Sequence, residues 1–342
     1  MNKKLIYGST IILFLAVGAI CFNFYQKIFS KSVLKSGAIY LRSDDTITKV
    51  ASLISPFISN PDNFIWVSKL KKFTKPKSGM YFLKEGMNMN EVVNLLRSGN
   101  QTPIKVSFNN QDTLEKLAGR ISQQIEADSL SLITAMRDSN FLLKNNFTEK
   151  SALGMYIPNS YEFYWNTSAE KFRDKMLREF KRFWTPSRVK QAKKIGLNKH
   201  QVITLASIVQ KETAQKSERP IVAGLYLNRF HDDWPLQADP TVIFALREQK
   251  GQDLIVKRVL SEDLKIDSPY NTYKYKGLPP SLIAMPDISS INAVLNPSKH
   301  KFYYMCASID KIGFHDFAKS LGEHNRNAAK YQRWINQRGI KR

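Results

Sequence analysis

The chain has 342 residues, 43% of them hydrophobic and 11% aromatic, enough to build a packed core and to exclude a globally disordered protein. Its 52 Lys and Arg against 29 Asp and Glu leave a net charge of +23. That charge calls for an anionic partner but reads only sign, so nucleic acid, anionic lipid headgroups and acidic polymers all stay open on this ground. Two cysteines, Cys21 and Cys306, and five histidines without ligand spacing point to no disulfide framework, no metal centre and no cofactor.

Taken in chain order, the first element follows Asn2-Lys3-Lys4: residues 5–25 run without a formal charge and are nearly all apolar or small. At about 1.5 Å rise per residue such a helix crosses a hydrocarbon layer of about 30 Å. A buried soluble helix and a cleaved signal peptide are the competing readings. Ala16-Val17-Gly18 resembles a cleavage site but falls too early in the run, and Ile20 before Cys21 does not fit a lipoprotein box. Residues 1–30 therefore read as a retained, single-pass transmembrane helix. Lys27, Lys31 and Lys35 balance Lys3 and Lys4, so the flanks leave its orientation open.

Three strand–turn–helix patterns come next. They are Ile39-Tyr40-Leu41 with Val50, Leu53 and Ile54; Tyr81-Phe82-Leu83 with Val92, Val93, Leu95 and Leu96; and Ile104-Lys105-Val106 with Leu114, Leu117 and Ile121. The first two resemble LysM modules, which bind glycans containing N-acetylglucosamine, and define a LysM-like α/β subdomain over 36–100 that ends at Ser98-Gly99-Asn100. An ordinary α+β subdomain with coincidental periodicity is the alternative.

The larger domain, 101–342, mixes helices and strands without βαβ alternation, so the fold class is α+β. Thr167 with Glu170 fits a capping box ahead of the stripe Phe172, Met176, Phe180 and Phe183, and Thr185-Pro186-Ser187 ends that helix. A short helix then runs to Gly196, a C-terminal glycine. Residues 302–307 read as a buried strand, and 321–337 as a helix with His324, Ala328, Tyr331 and Ile335 on one stripe.

The chemically informative helix opens at Asn198, which with Gln201 makes a cap. Val202, Leu205, Val209 and Glu212 follow at helical spacing, placing a carboxyl where the apolar stripe expects a hydrophobic residue. Such a group is partly desolvated and keeps a proton toward neutral pH, as a general acid requires. A helix-end glutamate paired with Lys211, Lys216 or Arg219 is the bland reading.

The surrounding motifs carry a resemblance. Residues 205–213 (LASIVQKET) are followed by 218–229 (ERPIVAGLYLNR) and 235–242 (PLQADPTV). Further on stand 270–273 (YNTY), 277–280 (GLPP), Asn296-Pro297 and 323–326 (EHNR). In this order they resemble the endolytic murein transglycosylases of the YceG-like (MltG) family. The resemblance implies that Glu212 is the catalytic acid/base of a lytic transglycosylase acting on peptidoglycan. It implies a body outside the cytoplasmic membrane, peptidoglycan glycan strands as the partner and cell-wall synthases as candidate partners; no nucleic acid is expected, because the sequence has no recognisable zinc finger, RNP-type motif or P-loop and opens with an anchor.

Polar groups of the same motifs are candidates for substrate binding: Asn228, Gln237, Asp239, Thr241, Asn271, Tyr273, Glu323 and Asn325. Several have bland readings too. Asp239 before Pro240 is a ready helix N-cap, Asn228 lies at a helix end, His324 sits on an apolar stripe, and His315 is ambiguous. Gln210 stands where the family often has an acid, removing a possible second carboxylate. Residues 158–163 (PNSYEF) and Ser281-Leu282 depart from family loops. A non-catalytic, membrane-anchored cell-wall-binding protein is the alternative function.

Overall fold

The computed structural model describes residues 3–256 and 258–338. Asn2 and the side chains of Lys3 and Lys4, read above as the anchor's basic flank, lie outside the described part. The chain forms two compact units: one holds residues 1–106, 122–127 and 160–168, the other 107–121, 128–159 and 169–342.

The first unit opens with helix α1 (Lys3–Phe29), whose stretch Tyr7–Phe29 is long and apolar enough to cross a membrane and has no buried residues. Strand β1 (Gly37–Leu41), helices α2 (Ile47–Ile54) and α3 (Pro61–Leu70), strand β2 (Gly79–Leu83) and helix α4 (Met89–Ser98) follow. Strands β1 and β2 pair antiparallel, Gly37 against Leu83 and Leu41 against Gly79. The first two strand–helix patterns thus close on one another. Their apolar stripes, Leu41, Val50, Ile54, Leu83, Val92 and Leu96, meet in one core with Phe64 and Val67 of α3, a helix outside the repeat pattern.

Each helix begins where side-chain chemistry dictates. Thr46 accepts from the Lys49 amide, Asn60 precedes Pro61, and Asn88 with Glu91 forms a reciprocal capping box. Gly99 at φ 74° then stops α4 in the left-handed region that glycine enters without penalty. Later segments return to this unit: Ser43 donates to Glu126 through its backbone N–H (2.9 Å) and hydroxyl (2.8 Å), and Asn166 Nδ2 donates to Ser78 O (3.0 Å).

Strand β3 (Ile104–Phe108) is the third strand of the pattern, and α5 (Leu114–Ser122) is its helix. Its partner is β4 (Asn159–Phe163), so the segment read as a departing family loop is a strand.

In the second unit α6 (Ser129–Met136) and α7 (Ser139–Lys144) precede the long α8 (Ala169–Phe183), whose stripe Phe172, Met176 and Phe180 is buried as expected. The expected Thr167 cap is corrected: α8 begins at Ala169, and the Thr167 hydroxyl instead donates to Tyr164 O at 2.6 Å, closing the turn before the helix. Thr185 caps α9 (Pro186–Lys194), and Gly196 takes φ 72° beyond its end. Helices α10 (Lys199–Glu212), α11 (Arg219–His231), α12 (Asp239–Lys250) and α13 (Ile288–Leu295) form the centre, with α10 packed by α9, α11, α12 and α13.

Strands β5 (Tyr304–Ala307) and β6 (His315–Ala318) pair antiparallel, and α14 (Leu321–Gln337) covers the 321–337 span read from the sequence. Two readings change here. The strand starts at Tyr304, because the Phe302 amide donates to His300 Nδ1 (3.1 Å), and it is half-buried. On the α14 stripe only Ile335 is fully buried.

Candidate active site

Helix α10 carries the site. Asn198 and Gln201 form its capping box as the spacing predicts, with both reciprocal bonds at 2.9 Å. Val202, Leu205 and Val209 are fully buried, but so is every residue between 202 and 209. The stripe expected of a surface helix is therefore part of an element enclosed on all sides. Polar residues on the other faces are satisfied locally. The Ser207 hydroxyl donates to Thr204 O (2.7 Å) and accepts from the Ile283 amide (3.0 Å). Gln210 Oε1 accepts from the Asp287 amide (3.2 Å) and the Ser290 hydroxyl (2.7 Å), pinning the start of α13.

Glu212 is the last residue of α10 and half-buried, with its carboxyl turned inward to accept a hydrogen bond from the Tyr226 hydroxyl of α11 at 3.0 Å. Desolvation raises its pKa; the Tyr226 bond, His315 and Arg229 oppose the rise, while Asp239 adds to it. Burial and the neighbouring Glu212 charge likewise push the Tyr226 phenol well up, so it stays a donor. The three bases offered as ordinary partners divide as follows. Lys211 bonds Asp112 at 2.6 Å, and Arg219 forks onto Asp287 at 2.7 and 2.8 Å. Lys216 is exposed and is not among the groups that shift Glu212. The helix-end ion-pair reading of Glu212 thus fails.

Around the carboxyl, α11 supplies a second group, the buried Arg229. It donates to Tyr303 O (2.7 Å), Leu236 O (2.6 Å) and Gln237 Oε1 (3.3 Å). Close passage of the chain beside α11 needs Gly224, where a Cβ would come within 2.5 Å of Ser298 O. Gln237 is exposed, takes φ 52°, and donates its amide to Thr272 O at 3.0 Å. Asp239 is not the N-cap: Ala238 holds that position, and Asp239 is the first helical residue. Its Oδ1 accepts from the Tyr273 hydroxyl at 2.5 Å. Burial first, and that bond second, raise the Tyr273 phenol. Gln237, Asp239 and Tyr273 therefore stand with Tyr226 and Arg229 about Glu212.

The other candidates are placed differently. Asn228 spends its amide on His300 O (3.1 Å) and Phe302 O (3.0 Å). Thr241 is buried, bonded to Ala238 O and Thr272 Oγ1. Asn271, fully buried, holds Leu264 O and Ile266 O and accepts from the Tyr273 amide. Thr241 and Asn271 shape the loops that present Gln237 and Tyr273, whereas Asn228 holds the 300–302 segment. Glu323 accepts from the Lys319 amide at 2.9 Å within the Ser320 cap of α14, and Asn325 is exposed on α14. His324 stacks on Tyr304 (5.4 Å between ring centres), and burial lowers its pKa.

The sequence reading passed over Tyr226, which lies fourteen residues from Glu212 in sequence, and Glu218, a carboxylate only 4% exposed. Elsewhere in the unit a cavity of about 420 Å³ is lined by Asp112, Arg137, Lys150, Phe244 and Tyr270 among others, without Glu212.

A desolvated carboxyl that accepts from a phenol and lies near a guanidinium has the surroundings that general acid/base chemistry calls for, within an α+β unit. Residues 39–330 match the model of the YceG-like family, and the chain belongs to that family. It is 30% identical to an endolytic murein transglycosylase of Bacillus subtilis over 86% of this chain and 84% of that protein. A Streptococcus pneumoniae (serotype 2) protein of the same name is 26% identical over 78% of this chain, which spans 53% of that longer relative. The crystal structure of a YceG-like protein from Listeria monocytogenes superposes with a TM-score of 0.57 at 27% identity, covering 85% of this chain and 98% of that one.

Proposed function

We propose that the protein is a membrane-anchored endolytic lytic transglycosylase that cleaves MurNAc–GlcNAc bonds in nascent peptidoglycan strands and leaves 1,6-anhydroMurNAc ends. The observation that carries the reading is the Glu212 carboxyl at the end of the enclosed helix α10, turned inward onto the Tyr226 hydroxyl, where burial raises its pKa in the direction a general acid needs. Ordinary glycosidases need a second carboxylate as nucleophile or base. Here the neighbouring carboxylates are engaged otherwise, Asp239 with Tyr273 and Glu218 with Thr213 and His315. That favours a reaction run on one acid/base.

Glu212 donates its proton to the glycosidic oxygen as the bond to the anomeric carbon breaks. The resulting carboxylate then accepts the proton of the MurNAc C6 hydroxyl as that oxygen closes on the same carbon. Glu212 recovers its proton and no water is consumed. In this reading Gln237, Asp239 and Tyr273 contact sugar, with Thr241 and Asn271 supporting them from behind; Asn228, Glu323 and Asn325 are further contact candidates. Helix α1 anchors the body on the outer face of the cytoplasmic membrane, where nascent strands and their synthases lie. The β1–α4 part, 36–100, is a LysM-like glycan-binding subdomain ahead of a catalytic 101–342.

The test is mass spectrometry of fragments released from purified glycan strands by the full chain in detergent. Anhydro-ended fragments are expected from the wild type, and none above about a tenth of that rate from Glu212→Gln, because general acid/base catalysis supplies about 10²–10⁴-fold. Glycan retention without turnover by the wild type would instead identify a binding protein.

A further inference from the structure

The turn that leaves α11 holds one aromatic ring in solvent. Asp232 closes the helix by donating its amide to Asn228 O (3.1 Å), and Asp233 then enters the left-handed region at φ 55°, which a short polar side chain tolerates better than most. Lys276 holds the Asp233 carboxylate at 2.6 Å. The chain reverses so that the Trp234 amide donates back to Arg229 O at 2.8 Å, and three residues later Gln237 takes φ 52°. Two non-glycine residues in this region are a cost. What the turn gains at Trp234 is not burial, since the indole is left 42% exposed.

Other rings flank the indole. Tyr303 lies 5.2 Å from it at an angle of 50°, and Tyr304 lies 6.1 Å away, nearly edge-on at 70°. Both tyrosines are half-buried, and the Tyr303 hydroxyl donates to Asp232. Tyr304 is backed by the His324 ring at 5.4 Å, and the Arg229 guanidinium lies 5.7 Å from its ring centre. Arg229 in turn bonds Gln237 Oε1 at 3.3 Å and shares a face of α11 with Tyr226, three residues earlier, whose hydroxyl donates to Glu212. A continuous row of side chains, Tyr226, Arg229, Tyr304 and Trp234, therefore joins the acid to the exposed indole.

Size and chemistry decide what such a surface takes. An indole offers at most about 150–250 Å², far below the about 800 Å² that each partner buries in a stable protein interface. A pyranose ring suits it. The equatorial substituents of a β-linked sugar leave axial C–H groups on its faces, and these weakly positive hydrogens meet the negative face of an aromatic ring. The hydroxyl and amide groups at the sugar's edge then need polar partners, which Asp233 and Lys276 supply at the rim of the turn. We propose that Trp234, with Tyr303 and Tyr304 beside it, is a saccharide platform that holds a sugar of the glycan strand next to, rather than at, the bond facing Glu212. The proposal rests on the transglycosylase reading and adds the place where the strand is gripped beyond the reacting pair.

The test uses the full chain in detergent with Trp234→Ala and Trp234→Phe. On purified glycan strands Trp234→Ala should raise KM about tenfold, a usual loss for truncating an aromatic anchor, with kcat within about twofold. Trp234→Phe keeps a stacking face and should recover most of the loss. Chitohexaose binding in the Glu212→Gln background gives a reading independent of turnover. By calorimetry its affinity should fall about tenfold on adding Trp234→Ala and stay near the parental value on adding Trp234→Phe. Unchanged KM and chitohexaose affinity in Trp234→Ala overturn the proposal. So does a fall in kcat with KM unmoved, or a phenylalanine variant no better than alanine. A wild type that releases no anhydro-ended fragments, while its chitohexaose affinity still depends on Trp234, defeats the transglycosylase reading and leaves the platform standing.

Discussion

At Glu212 the competing terms can be ordered by direction. Burial dominates and raises the pKa, while the Tyr226 hydrogen bond, His315 and Arg229 pull it back without cancelling the rise. The proposed cycle starts with this group protonated, so kcat should decline as pH rises through a value above the ~4.3 of a free glutamate. A pH profile on soluble strands, with folding followed by circular dichroism, checks this; a limb at the free-glutamate value refutes the desolvated acid. The same shift has a stability consequence. A carboxyl whose folded pKa exceeds its unfolded one contributes stability that is fully present below the unfolded pKa and lost as pH rises through the folded pKa. Glu212→Gln abolishes that titration and can still accept from Tyr226. Urea unfolding should therefore show the variant gaining on the wild type as pH rises from about 4 to 8. The desolvated setting of Glu212 was legible in the sequence because Val202, Leu205 and Val209 share its face. Its hydrogen-bond partner was not: Tyr226 reaches it from α11 by folding, and nothing in local spacing announces that contact. Asn228, Thr241 and Asn271 were read as substrate-binding residues, and their hydrogen bonds go to main-chain and threonine groups that only the fold brings near.

Among the elements, helix ends were read best, because a cap is a local interaction. The Asn198 and Gln201 box, the Thr185-Pro186 start and the Gly196 stop all stand where the residues put them. Asn198→Ala should cost about 1 kcal/mol, the usual loss for a removed N-cap, in chemical denaturation. Activity at a temperature well below unfolding should hardly change, since α10 is gripped along its length by other helices. Where the reading erred, two local interactions competed. Thr167 had a carbonyl within reach at Tyr164 and used it, and Asp239 gave its carboxylate to Tyr273, leaving Ala238 to start α12. Helix α3 was missed because its Phe64 and Val67 lie between two repeats rather than within either.

For the molecule as a whole, the two compact units matter more than the linear order of motifs. Removing residues 1–30 takes away a helix with no buried residues over Tyr7–Phe29, whose packing on the first unit comes from Ile28 at the core edge and Phe24 against Trp66. Release of soluble fragments should persist at near wild-type rate, while co-sedimentation with membranes is lost; retention on membranes would reassign the anchor. Deleting 36–100 is a harsher operation. It removes the core formed by Leu41, Val50, Ile54, Leu83 and Leu96 but leaves behind 101–106, 122–127 and 160–168, which belong to the same unit. Such a protein should show a lower unfolding midpoint as well as weaker glycan retention, and unchanged stability would mean that those segments fold independently of the core.

The threading that makes this deletion harsh also bears on how the unit could have been acquired or exchanged. A module whose sequence is continuous can be transferred between genes by a single insertion. Here Ser43 reaches Glu126, Tyr40 packs on Trp165 with ring centres 5.5 Å apart, and Ser78 receives Asn166. The first unit is therefore completed by stretches encoded well inside the second. A recombination joint near residue 100 would give a hybrid in which each parent had shaped only part of the same core surface. The two units are expected to be inherited together, and a nick near that position should yield two peptides that co-migrate until denaturant is added.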